Sequence, residues 1–199
     1  MTIVALLDAL KHFCIDKTKY LEFPTSVQKN DIQREFRAPD VYKMRLPDSS
    51  AAKKVAPYIL IQFVSGIDQQ LHGKQSSSSA VIRFIFCVYD ENEQEGAMML
   101  LNLMEAVRIA LLKEVVVGKC FRLDTDAGLE SVVYMGEQTA PYYAGELVGT
   151  FQLPPIEREV NVYGEIPKQS GIIPFGRGRG CGRAADGSDT NSGAANGEQ

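Results

Sequence analysis

Side chains able to do chemistry are sparse in this chain and do not gather at motif spacing. There are two histidines, His12 on the polar flank of an amphipathic segment and His72 beside Gly73. No Gly-x-Ser-x-Gly elbow, His-Glu-x-x-His pair or activated-cysteine context accompanies either, so both read as surface residues. The four cysteines, Cys14, Cys87, Cys120 and Cys181, include no Cys-x-x-Cys pair for zinc or redox chemistry. Reduced thiols are expected, with Cys14 and Cys87 as small buried hydrophobes. The stretch from Gly73 to Ser76 shares residue types with a phosphate loop, but the required earlier glycine is missing, because position 68 is Asp. Asp124, Asp126, Gly128 and Glu130 form a fragment of a calcium loop that lacks a third ligand and ends on Met135 where a glutamate is needed. A polar turn is the expected role. The acidic run Asp90 to Glu95 could hold a cation, and more simply complements the positive end of a following helix. These readings assign no catalytic, cofactor-binding or metal-ligating residue and point to a protein that is not an enzyme.

Two basic features remain. Gly176 to Arg183 alternates arginine with glycine, a composition that can bind single-stranded nucleic acid, but it has three arginines, no interleaved aromatic, and Asp186 and Asp189 close behind. The stretch from Lys29 to Lys54 holds seven Lys or Arg against four Asp or Glu, which suits docking on an acidic surface and equally an ordinary solvated loop. The whole chain carries a formal charge of -4 with a pI near 5.3, whereas nucleic-acid-binding domains are usually basic. A protein partner is therefore expected rather than nucleic acid.

The elements that must position these residues follow from periodicity. The chain has 199 residues, 45% of them hydrophobic and 23% charged, which excludes collagen, coiled coil and wholesale disorder. Apolar residues at 3, 6, 7, 10, 13 and 14 mark an amphipathic helix with Thr2 as its N-cap. The pattern breaks down from Asp16 to Ala56, a connection far longer than the usual one, which reads as a functional arm, a partner-binding loop or a segment of short strands. Tyr58 to Val64 and Val81 to Tyr89 read as two strands paired in an antiparallel hairpin, the second turning Ile82, Phe84, Phe86 and Val88 to one face and Arg83 to the other. Their link, Gly66 to Ser79, is expected to be an exposed loop. Asn92 and Glu95 have capping-box spacing and open a long helix with a stripe of Ala97, Leu100, Leu101, Met104, Val107 and Leu111, closed by Gly118. Three strands follow, Cys120 to Leu123, Ser131 to Met135 and Tyr143 to Leu153.

This order predicts an α+β domain, a mainly antiparallel sheet with the long helix packed on one face and an N-terminal amphipathic helix. The domain should span residues 1–170. Residues 171–199 hold 8 of the 17 glycines, balance three arginines against three acids, and read as a disordered tail. No apolar run approaches the length of a membrane span and no basic cluster precedes an apolar stretch, so the chain is expected in the cytoplasm.

In this layout the chain resembles the tail terminator, or tail completion, proteins of long-tailed bacteriophages and prophages. The resemblance covers most of residues 1–160. It rests on the N-terminal helix, the long connection, the strand Tyr58 to Val64, the strand Ala80 to Tyr89 running into Asp90 and a long helix, and the closing stretch Pro141 to Ile156. It implies a subunit without catalytic residues or cofactors that closes into a homo-oligomeric ring, commonly a hexamer. Its implied partners are the tail tube protein and the head-tail connector proteins, with no membrane. The protein would be made in the host cytoplasm and end in the virion tail. The alternatives are a neck or head-completion role, or a nucleic-acid-associated protein using the Arg-Gly tail.

Overall fold

The computed structural model describes residues 2–25, 35–47, 56–69, 76–134 and 140–156. Helix α1, Ile3–Thr18, starts at Thr2, whose extended backbone lets its Oγ1 accept from the Ala5 amide at 3.3 Å. One side of α1, from Leu6 to Cys14, is buried. The connection that follows contains short strands. β1 (Phe23–Pro24) and β2 (Phe36–Arg37) form a small antiparallel pair, and β3 (Asp40–Lys43) runs parallel to the start of β4 (Tyr58–Gln69).

β4 pairs antiparallel with β5 (Ser77–Tyr89), placing Leu60 opposite Ile85 and Ile61 opposite Phe84. The two strands form the expected hairpin but extend beyond their apolar runs, so residues 66–69 and 77–79 of the expected loop are paired strand. Backbone hydrogen bonds need no apolar pattern, and β5 is held on its other side by β9 (Tyr142–Leu153) as far as Ser78 opposite Leu153. The middle of the link, 70–75, lies outside the described residues.

Helix α2, Glu93–Glu114, opens at Asn92, whose side chain accepts from the Gln94 amide at 3.2 Å. The return half of the expected capping box is supplied by Asp90 instead of Glu95: its Oδ1 accepts from the Asn92 amide at 2.7 Å. The buried stripe is Gly96, Leu100, Leu103, Met104, Val107 and Leu111, with Ala97 and Leu101 at its margins. The helix ends at Val115, which takes a φ of 55°, and not at Gly118, which lies in the turn between β6 (Val116–Val117) and β7 (Phe121–Leu123). β8 (Leu129–Tyr134) then lies against β9.

The main sheet has the order β3-β4-β5-β9-β7-β6, with β8 flanking β9 next to β7. Only the β3–β4 pair is parallel. Both helices lie on the same face, α1 against β3 and β4, α2 against β5 and β9. Alternate residues feed the core beneath them: Ile59 and Ile61 from β4, Ile82, Phe84, Phe86 and Val88 from β5, and Leu147 and Phe151 from β9. Each fully buried side chain of this size contributes roughly 1.5–3 kcal/mol. Close approach of α2 to β9 requires glycine at Gly96, where a Cβ would sit 2.2 Å from the Tyr143 ring, and at Gly145, where it would sit 2.6 Å from the Met104 sulfur. The α+β class is as the sequence predicts. Met1–Arg158 forms one compact unit, and the expected boundary at 170 and the glycine-rich tail lie outside the described residues.

Candidate interaction surface

No helix covers the second face of the sheet among the described residues. Across it the pairing sets Leu60 beside Ile85, Ile85 beside Glu146, and Glu146 beside Val132. Arg83 stands one position of the same parity away, between Gln62 and Val148. Leu60 and Cys87 are buried within this surface, while Ile85, Val132 and Val148 are half-buried. At its centre Arg83 Nε lies 3.2 Å from Glu146 Oε2, an ion pair without an aligned hydrogen bond at that nitrogen. Glu146 is 16% exposed and Arg83 41%, so the pair is partly screened from water. The Tyr134 hydroxyl shares the Glu146 carboxylate, and that hydrogen bond, ahead of burial, raises its pKa above the ordinary tyrosine value. Such a surface can be recognised by another protein through apolar contact, with one charge pair fixing the orientation.

Among the described residues two strand edges are open as well. β3 covers β4 only from Tyr58 to Ile61, after which the Met44 carbonyl accepts from Gln62 Nε2 at 3.1 Å and the cover ends. The last six residues of β4 are all exposed, including Val64 at 48% and Ile67 at 60%. On the far side, β8 pairs with β9 alone among the described residues. Where the β4–β5 ribbon meets the end of β9 there is an open cleft of about 410 Å³, lined in part by Ile67, Ser78, Asp124, Gln152 and Leu153. Its polar wall is hydroxyl and amide, with Asp124 already engaged.

The residues singled out in the sequence are not gathered into one site. His12 is exposed on α1, and His72 with Gly73 to Gln75 lies outside the described residues. Asp124 closes a polar turn, its Oδ1 accepting from the amides of Asp126 and Ala127 at 3.2 and 3.3 Å, and Glu130 stands exposed on β8. Asp90 is buried at the start of α2 in its capping role. Of the basic connection, Arg37 pairs with Asp40 at 3.0 Å and Lys43 with Asp8, while Arg45 is exposed. Lys29, Arg34, Lys53, Lys54 and the Arg-Gly segment lie outside the described residues. Cys14 and Cys87 are buried, and burial pushes their thiols up to about 12 and about 11. Cys120 is partly exposed.

Arg83 and Glu146 were visible in the sequence as single charges inside apolar strands, but their pairing depends on the β5–β9 register. No group of His, Cys, Asp or Glu among the described residues is arranged to hold a metal ion. No helix among them is long and apolar enough to cross a membrane. No protein-family model matches the chain, and no curated protein matches it.

Proposed function

We propose that this protein is a structural subunit of a bacteriophage or prophage tail, closing into a ring that caps the tail tube and presents a joining surface to the head connector. The observation that carries the reading is the one-sided cover of the sheet. Helices seal one face, while among the described residues the other offers Ile85, Val132 and Val148 around the Arg83–Glu146 pair, beside open strand edges. An interface of this composition suits binding to protein. A ring needs two different patches on each subunit, since heterologous contacts set one patch against the other on the neighbour.

The element order supports the same reading. A helix, a long connection, a hairpin, Asp90 leading into a long helix, and a closing strand follow one another as the tail terminator resemblance requires. The described cations of the connection give the nucleic-acid alternative little, because Arg37 and Lys43 are matched by Asp40 and Asp8. Within the proposal the subunit is non-enzymatic, is made in the host cytoplasm and is incorporated into the virion tail.

Sedimentation across a wide range of protein concentration tests it. A closed ring gives a discrete multiple of the 21.9 kDa chain, six-fold in the hexameric case, that does not grow further with concentration. A strictly monomeric mass at high concentration contradicts it.

A further inference from the structure

We propose that the ring is built by pairing the open edge of β4, residues 64–69, with the open edge of β8, Leu129–Tyr134, of a second copy, so that the sheet runs on from subunit to subunit. This inference rests on the ring reading and names the surfaces that make it. Every second residue of an edge strand directs its N–H and C=O away from the sheet, and an edge left unpaired is a template for another strand. Both segments are six residues long. Neither has a strand on its outer side among the described residues.

Strand direction also fits. β4 and β9 are each antiparallel to β5, and β8 is antiparallel to β9, so β8 runs opposite to β4. A neighbour set beside the first copy, facing the same way, therefore brings its β4 antiparallel to β8, the arrangement with the straighter hydrogen bonds. Because the two edges are different, the contact is heterologous and leaves one free β4 edge and one free β8 edge at the ends of any open chain, to be joined on closure.

The two edges are offset along the strands. β8 lies against Ala144 to Gly149, near the start of β9, whereas the open part of β4 lies against Ser77 to Val81, which face the end of β9. Successive copies must step along the strand direction, so a closed ring holds its strands inclined to the ring axis, as stagger and tilt are linked in a closed barrel. Exposed Val64 and Ile67 then lose solvent on pairing, which explains two β-branched apolar residues on an otherwise polar ribbon.

Lysine on an edge strand opposes pairing, because an incoming strand must strip water from its charge. Two variants are made in the full chain: Val64→Lys with Ile67→Lys on β4, and Glu130→Lys with Ser131→Lys on β8. All four positions are exposed, and circular dichroism and melting confirm the fold; should either double variant not fold, Ile67→Lys and Ser131→Lys serve singly. Sedimentation is expected to show each variant monomeric where the wild type is a ring. Mixed, they are expected to form a one-to-one dimer and nothing larger, through the intact β8 edge of the first and the intact β4 edge of the second. Rings formed by both variants overturn the edge pairing while leaving the ring reading intact. A dimer formed by either variant alone shows a like-with-like contact and also overturns it. A wild type that stays monomeric removes the ring reading and this inference together.

Discussion

At the residue scale, the described core is closely packed. Gly96 and Tyr143 show how tightly: the ring occupies the space a methyl group would need, so Gly96→Ala forces a shift of α2 or of the ring. Overpacking of this kind costs about 1–3 kcal/mol, and a thermal melt should show Gly96→Ala lowered by several degrees, beyond what its gain in helix propensity restores. An unchanged melting temperature would mean that α2 does not approach β9 so closely. The thiols give a second prediction. Burial holds Cys14 and Cys87 protonated to about 12 and about 11, whereas the unfolded thiols ionise near 9, so the folded state keeps protons that the unfolded state releases. Stability is full below pH 9 and falls above it, by at most about 1.4 kcal/mol per pH unit for each such thiol. Urea titrations from pH 8 to 10.5 should show this decline, with a shallower slope for Cys14→Ala. In a Cys181→Ser background at pH 8, a thiol reagent should modify Cys120 in the native protein, and Cys14 and Cys87 only on unfolding. The sequence showed the buried character of both cysteines through their apolar neighbours. It did not show the Arg83–Glu146 pair, because two charges 63 positions apart meet only through the register of β5 with β9.

Among the elements, legibility followed length and period. Helix α1, the apolar halves of β4 and β5, helix α2 and β9 each repeat apolar residues over two turns or several alternations, and each lies where the sequence put it. β3, β6 and the pair of β1 with β2 are two to four residues long, too short for a period, and are strands only because a partner hydrogen-bonds to them, distant in the chain for β1 to β3 and the adjoining β7 for β6. The ribbon beyond Val64 failed for the opposite reason: both its sides meet water, so no alternation exists to be read. The start of α2 shows a local signal that was legible in part. Asn92 caps as its spacing indicates, but the partner of its own amide precedes it at Asp90, on the strand side of the junction. Asn92→Ala should cost about 1 kcal/mol, as loss of an N-cap does. Glu95→Ala should leave the melting temperature within about a degree, since the Asn92 amide does not depend on Glu95, against the roughly 2–4 °C that each lost kilocalorie per mole gives in a domain of this size. A loss for Glu95→Ala equal to that for Asn92→Ala would show that the ordinary capping box forms.

For the whole molecule, the fold supplies surfaces more clearly than it supplies a site. One face of the sheet is spent on the core under α1 and α2, and among the described residues no helix covers the second face and no strand lies outside β8 or the last six residues of β4. Fold class was legible because it depends on element order. The proposed partnership rests on the tail terminator resemblance, since a surface that works in assembly need not carry any local motif. Charge reversal at the centre of that surface, Arg83→Glu, should leave the isolated subunit folded, because the pair is partly exposed, while weakening assembly at least tenfold in a sedimentation titration if this face enters the ring. The proposal that the protein terminates a tail is tested by electron microscopy of particles assembled without it. Tails of uncontrolled length are expected; tails of normal length left unattached to heads would overturn the terminator role and place the protein at the neck.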